Sequence, residues 1–326
     1  VHIGRPWLAY WLFPYPNSMD IWPNFKSPLE WDVFAVNTYL FIGAIFWYVG
    51  LIPDLATIRD RAKNKWARLA YGIFALGWRG SARHWINYER ACILLAGIAT
   101  PAVFSTAGVV SLDFATSNMP GWHATIFPPY FIAGAIFSGF ALCLNLLIMV
   151  RSVFAIKNVV TDRHIEICTK FILFTSLIIG YVYLIEIFTA YYSGNPYEKF
   201  WNYNRIFGPY GWAFWIMLTC NILVPQTLWF KRARRSMIWL FIAAILINIG
   251  MWFERFVLII TTLSRQFIPS SWGYFSATFW DIATFIGSWG LFFHLFCLFV
   301  RFLPIINIAE VKTVMPQADP HYKETN

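Results

Sequence analysis

Residues 236–262 read SMIWLFIAAILINIGMWFERFVLIITT, and the five positions before them read KRARR. A helix crosses the hydrocarbon layer of a membrane with about 20 mostly apolar residues at 1.5 Å rise each. This run is long enough, carries only Glu254 and Arg255 as charges, and has a basic cluster at one end. In lipid, a helix satisfies every backbone N–H and C=O within its own segment. The stretch predicts a membrane-spanning helix.

Working outward, six further runs have the same character: 32–53, 90–111, 124–150, 168–192, 208–230 and 275–303. The breaks between runs carry turn and helix-stop residues, as in Asn118-Met119-Pro120-Gly121, Ser193-Gly194-Asn195-Pro196 and Pro269-Ser270-Ser271. The expected fold class is all-α, a polytopic helical bundle of seven spans forming one transmembrane domain over 1–326. The whole composition agrees. Of 326 residues, 59% are hydrophobic, 20% aromatic and only 13% charged, against about 25% charged in a soluble domain. The same figures exclude a disordered or collagen-like chain.

The net charge of +9 does not point to nucleic acid, because the basic residues sit in short loops between apolar runs. Of 25 Lys and Arg, 19 fall in alternate loops: 59–90, 151–170, 231–235 and the C-terminal segment. By the positive-inside rule those loops and the C-terminus are cytoplasmic. Residues 1–31 are then a periplasmic segment, and 54–89 a cytoplasmic loop. Within that loop 64–78 reads as an amphipathic helix lying along the interface. Residues 306–326 read as an extended cytoplasmic tail. Cys92, Cys143, Cys168, Cys220 and Cys297 lie in apolar runs without metal-site spacing. No signal peptide is recognisable, and the chain opens at Val1 without a Met.

Charge inside a span costs at least ~2.5–3.5 kcal/mol at its centre, so each instance asks for a reason. With this orientation Asp113, Glu186, Glu254, Arg255 and Asp281 all fall in the outer third of the bilayer. His2, Arg5 and His123 lie outside or at that same level. A shared depth suits a buried polar pocket near the outer face. Structural roles compete with it: Glu186 can be hydrogen-bonded in the bundle core, and His123 beside Trp122 can be an interfacial anchor. Glu254 and Arg255 point about 100° apart on a helix and can each pair with a different neighbour.

Six His are present, without the facing pairs a b-type haem needs and without a CxxCH motif, so no haem or iron–sulfur cluster is expected on this chain. Acids, His and Arg among aromatics at one membrane face suit a lipid-soluble ligand with polar ends, such as a quinol. Two other readings stay open on these residues alone: an ion or solute transporter, and a structural anchor.

Several longer motifs bear on the choice. They are His2-Ile3-Gly4-Arg5-Pro6-Trp7, Ser111-Leu112-Asp113-Phe114-Ala115, and Pro120-Gly121-Trp122-His123-Ala124-Thr125-Ile126-Phe127-Pro128-Pro129. To them are added Tyr191-Tyr192-Ser193-Gly194-Asn195-Pro196-Tyr197-Glu198 and Gly250-Met251-Trp252-Phe253-Glu254-Arg255-Phe256. With these the chain resembles the NrfD/polysulfide-reductase-type membrane subunits along essentially its whole length. Within that family it looks most like the quinol-oxidising subunit of bacterial alternative complex III. The resemblance implies about three further helices ahead of Val1, including another His that approaches the quinol.

It also implies a periplasmic-side site for menaquinol or ubiquinol, with His2 and Arg5 polarising the quinol and Asp113 accepting a proton. His123 would join the quinol-binding residues, and Glu186, Glu254, Arg255 and Asp281 the polar lining or proton route. The implied partners are a periplasmic iron–sulfur subunit, multihaem cytochrome c subunits and a second NrfD-like membrane subunit. The clusters and haems would belong to those partners, and electrons would pass on to a cytochrome c or copper protein. Proton translocation is implied too, with Arg83, His84 and Glu89 at a cytoplasmic entrance. One departure stands out: relatives often carry a His a few residues before Asp113, where this chain reads Ser105-Thr106-Ala107-Gly108. The same fold also serves quinone-reducing anchors of molybdopterin reductases and hydrogenases, which sequence alone does not separate.

Overall fold

The apolar runs become helices that outreach them at their ends. The computed structural model describes residues 7–8, 10, 13–16, 19–313 and 315, and among these there is no strand. Helices α1 (Pro28–Arg61), α3 (Ala82–Ala115), α4 (Phe127–Val153), α5 (Asp162–Tyr192), α10 (Met237–Ser264) and α11 (Phe279–Phe302) are each long and apolar enough to cross a membrane. At 34 residues, α1 and α3 are roughly 50 Å long, well beyond a hydrocarbon layer. Their ends are built from residues such as Arg59, Arg61, Arg83 and Glu89, which continue a helix readily and carry it into water.

The run 208–230 behaves differently. Helix α6 (Pro196–Phe207) precedes it, and the continuation Gly211–Trp229 is bent from α6 by 78°. Counted as one broken span, this pair would make the six crossings seven. The continuation is itself interrupted: α7 (Gly211–Leu218), a π turn (Thr219–Leu223), α8 (Val224–Gln226) and a 3₁₀ turn (Thr227–Trp229). Pro225 explains the irregularity, because it offers no N–H and its ring crowds the carbonyl four residues back. The Val224 N–H instead donates five residues back, to Thr219. The short basic helix α9 (Lys231–Arg235) follows, with α10 starting at an N-cap in which the Trp239 N–H donates to Ser236.

The chain divides into two units. The larger, formed by Phe104–Ser276 with Asn24–Asp32, packs α4, α5, α7 and α10 together. The buried face of α4 runs Phe127, Phe131, Gly134, Phe137, Ala141, Leu144, and that of α10 runs Leu240, Ala243, Ile247, Gly250, Glu254, Val257. Both are stripes at three- and four-residue spacing, as one helix face requires. Small residues let the helices approach, which in lipid replaces a hydrophobic drive to associate. A Cβ on Gly134 would stand 3.1 Å from Met251 Cε, and one on Gly250 would stand 2.6 Å from Cys220 Cβ.

The smaller unit contains Val33–Val103 and Ala277 onward. Helix α2 (Lys65–Phe74) falls within the stretch 64–78 read as an amphipathic helix; Asn64 caps it by accepting the Trp66 N–H. The Tyr71 hydroxyl donates to the Phe302 carbonyl at 3.0 Å and that of Tyr48 to the Phe74 carbonyl at 2.6 Å. The segment read as an extended tail folds in part as a short helix, α12 (Ile308–Thr313). Asp54, fully buried, is the reason: its two carboxylate oxygens accept the Ile308 and Ala309 N–H groups at 2.8 and 3.0 Å. A carboxylate at those first amides satisfies orphan donors and favours helix there.

Candidate functional site

The larger unit buries a connected set of polar side chains among apolar helices. Glu254 lies on the inward stripe of α10 and is 1% exposed. The Tyr183 hydroxyl, from α5, donates to Glu254 Oε2 at 2.5 Å. Asn221 Nδ2 donates to the Tyr183 hydroxyl at 3.0 Å and reaches the same Glu254 oxygen at 3.4 Å. Asn221 owes that position to the π turn, whose extra residue rotates it toward α5 and α10. Such turns recur at functional sites.

Arg255 Nη1 lies 3.7 Å from Glu254 Oε1, and its guanidinium sits 4.0 Å from the centre of the Phe131 ring. The adjacent acid and base thus interact with each other, and Arg255 turns its planar face to α4. One further pair lies on α5 and α6. Arg205 Nη1 is 2.8 Å from Glu186 Oε2, with the side chains only 4% and 7% exposed. The Trp201 and Phe214 rings lie 5.0 and 5.4 Å from the Arg205 guanidinium. Buried Tyr130 stands between the pairs: its ring is 6.0 Å from that of Tyr183, and it interacts electrostatically with both carboxylates.

Beside Glu186 opens a cleft of about 640 Å³. Polar side chains converge on it from three segments: His123 from the loop before α4, Glu186 and Thr189 from α5, and Asn195 and Glu198 at the start of α6. Glu198 is fixed by the Gly121 N–H, which donates to both its oxygens at 3.1 Å. Gly121 has φ +83°, and a Cβ there would fall 2.1 Å from the Trp201 ring, so glycine alone fits. Trp201 in turn donates its indole N–H to Thr262 at 2.8 Å. His123 Nδ1 lies 3.0 Å from the Ser117 carbonyl oxygen, and the residue is exposed.

Of the residues singled out in the sequence, Glu186, Glu254 and Arg255 come together in this unit, and His123 lines the same cleft as Glu186. Asp113 is half-buried in the last turn of α3, two residues before the cleft-lining Ala115, without lining the cleft itself. Asp281 stands in the other unit, exposed at the start of α11. There its Oδ2 accepts from the Thr278 hydroxyl at 2.7 Å and the Thr278 N–H at 2.8 Å, a reciprocal cap. His2 and Arg5 lie outside the described residues. His84 Nδ1 accepts the Arg79 N–H at 3.2 Å beneath the Trp78 ring.

Arg205, Tyr183, Asn221 and Tyr130 join this site unmarked by the sequence, and Glu198 is marked there only as the end of the Tyr191–Glu198 motif. A signal for α6 was present, since Asn195-Pro196 is an N-cap followed by proline at the first helical position. Asn195 does accept the Tyr197 N–H at 2.9 Å. Arg205 falls between the apolar runs 168–192 and 208–230, where nothing in the sequence marks it as buried, yet it is 3% exposed. Among the described residues no group of three or more His, Cys, Asp and Glu could hold a metal ion.

The fold and site define a polytopic helical membrane protein with ionisable groups buried in its bundle. The family model for polysulphide reductase, NrfD, matches residues 1–267. The chain belongs to the polysulphide reductase NrfD family, whose subunits typically serve as quinone-interacting membrane anchors within redox enzyme complexes. A search of curated proteins gives no match.

Proposed function

We propose that this chain is the quinol-oxidising membrane subunit of a respiratory or photosynthetic complex, of the kind found in alternative complex III. The observation that carries the reading is the convergence of His123, Glu186 and Glu198 on one cleft, in a family of quinone-interacting anchors. A quinol presents two hydroxyls that must lose protons as its electrons leave, and imidazole and carboxylate groups are the acceptors for that task. Aromatic and aliphatic side chains supply the apolar wall for the ring, as ligand pockets commonly do.

In this reading the menaquinol or ubiquinol head enters at the periplasmic face, and His2, Arg5, Asp113 and His123 bind and deprotonate it. Glu186, Glu254 and Arg255, with Arg205, Tyr183 and Asn221, form the polar path behind it. Electrons leave to a periplasmic iron–sulfur subunit and then to multihaem cytochrome c subunits. A second subunit of the same family completes the assembly in the bacterial inner membrane.

The test is quinol-driven cytochrome c reduction by the purified native complex, wild type beside Asp113→Asn and His123→Ala, with assembly checked by native electrophoresis. Loss of turnover in an intact Asp113→Asn complex, and a raised quinol KM in His123→Ala, are the expected results. Unchanged turnover in both removes these residues from the mechanism. A wild-type complex without quinol oxidase activity that reduces quinone at a molybdopterin partner's expense would assign the chain to the reductase anchors instead. Ion or solute uptake by the chain alone in liposomes would assign it to transport.

A further inference from the structure

A second cavity, of about 630 Å³, lies at the other end of α5 from the cleft, where α5 and α10 begin. It is lined by Asp162, Glu166, Lys231, Arg234, Arg235 and Met237, so five of its six lining residues are charged. The acids are already engaged. Asp162 Oδ1 is 2.7 Å from Arg151 Nη2, and Glu166 Oε1 is 3.1 Å from Lys170 Nζ. Among the described residues Lys231, Arg234 and Arg235 make no ion pair, and α9 gathers them within a single turn. The cavity therefore presents three cationic heads around a concave, polar space, with Glu166 near enough to Arg234 and Arg235 to offset part of their charge.

The ends of α5 and α10 at this cavity are ends of membrane-crossing helices, so it opens where lipid headgroups lie. Phe230 and Ile238, which flank the basic turn in sequence, are 71% and 76% exposed. Trp239, which donates its indole N–H to Thr227 at 3.0 Å, marks the same level, as aromatic residues do at membrane interfaces. A free phosphate would use only the cations. An anionic phospholipid would use the cations for its phosphate and the exposed apolar side chains for its chains. We infer that the cavity of Lys231, Arg234 and Arg235 is a binding site for the phosphate of an anionic phospholipid headgroup. Basic pockets between membrane helices hold such headgroups through the same charge complementarity.

The experiment is native mass spectrometry of the full chain purified in dodecyl maltoside, titrated with phosphatidylglycerol, with phosphatidylcholine, and with inorganic phosphate. Retention of one phosphatidylglycerol per chain is expected, weakened roughly a hundredfold in Lys231→Gln/Arg234→Gln/Arg235→Gln, as losing three cations near the lipid surface implies. Phosphatidylcholine retention should be the same in both chains. Glu166→Gln should bind phosphatidylglycerol more tightly than wild type, a gain that misfolding could not produce. Equal phosphatidylglycerol retention in wild type and triple variant overturns the site. Displacement of the lipid by millimolar inorganic phosphate overturns the headgroup assignment in favour of a free anion. If the triple variant does not fold, unchanged or weaker binding by Glu166→Gln overturns the proposal by itself.

Discussion

A carboxylate and a guanidinium 2.8 Å apart and both buried, as Glu186 and Arg205 are, stand or fall together. Removing one partner leaves an uncompensated charge among apolar helices, which costs about 3–5 kcal/mol, whereas removing both leaves none. Arg205→Met alone should therefore lower the unfolding midpoint in detergent sharply. Glu186→Gln combined with Arg205→Met should recover much of that loss, giving a coupling energy on the order of 1–3 kcal/mol in a double-mutant cycle. Additive losses would mean that the two charges do not depend on each other. Half of this pair was legible in the sequence: Glu186 stands out because a charge within an apolar run is costly. Arg205 is hidden because it lies outside the apolar runs, where a charge costs nothing and so draws no notice. Tyr183 and Asn221 were hidden for another reason, since a hydroxyl or amide in an apolar run carries no charge to mark it.

At the scale of the element, the position of Glu254 follows from period. It lies three residues before Val257 and four after Gly250 on the buried stripe of α10, so its inward aim could be read from spacing. The π turn that brings Asn221 to it could not, because Pro225 signals an interruption without fixing its form. Gly250 is where these two elements meet. A Cβ there would stand 2.2 Å from Asn221 Oδ1 and 2.6 Å from Cys220 Cβ, so α10 and the π turn must move apart to admit it. Gly250→Ala should destabilise by about 1–3 kcal/mol, the usual range for overpacking, and both it and Asn221→Ala should depress quinol turnover. Gly180→Ala is the control: its Cβ meets only Ile222 Cδ1 at 3.9 Å, and thermal unfolding should show no loss. If Gly250→Ala is as stable and active as wild type, the approach of the two helices does not hold Asn221 in place.

For the whole molecule, the distribution of charge and the bent pair bear on one question. The basic loops hold 19 of the 25 Lys and Arg only if every long run crosses, including the one containing the π turn. Were α6 and Gly211–Trp229 a re-entrant hairpin, Lys231, Arg232, Arg234 and Arg235 would share a side with Lys199 and Arg205. Helices α10 and α11 would then be inverted, and the asymmetry that sets orientation would be weakened. The crossing is therefore favoured by the charge pattern, although its helix is broken. Unwound backbone at membrane depth is tolerated where protein surrounds it, and the π turn does pack against α5 and α10. Alkaline phosphatase fused after Gly194 should be active outside, and fusions after Val159 and Arg235 should be inactive. A fluorescent protein fused after Asn326 should fluoresce in the cytoplasm. Active phosphatase after Arg235 would make the pair re-entrant, reverse α10, and place Glu254 on the opposite half of the membrane from where a periplasmic quinol site needs it.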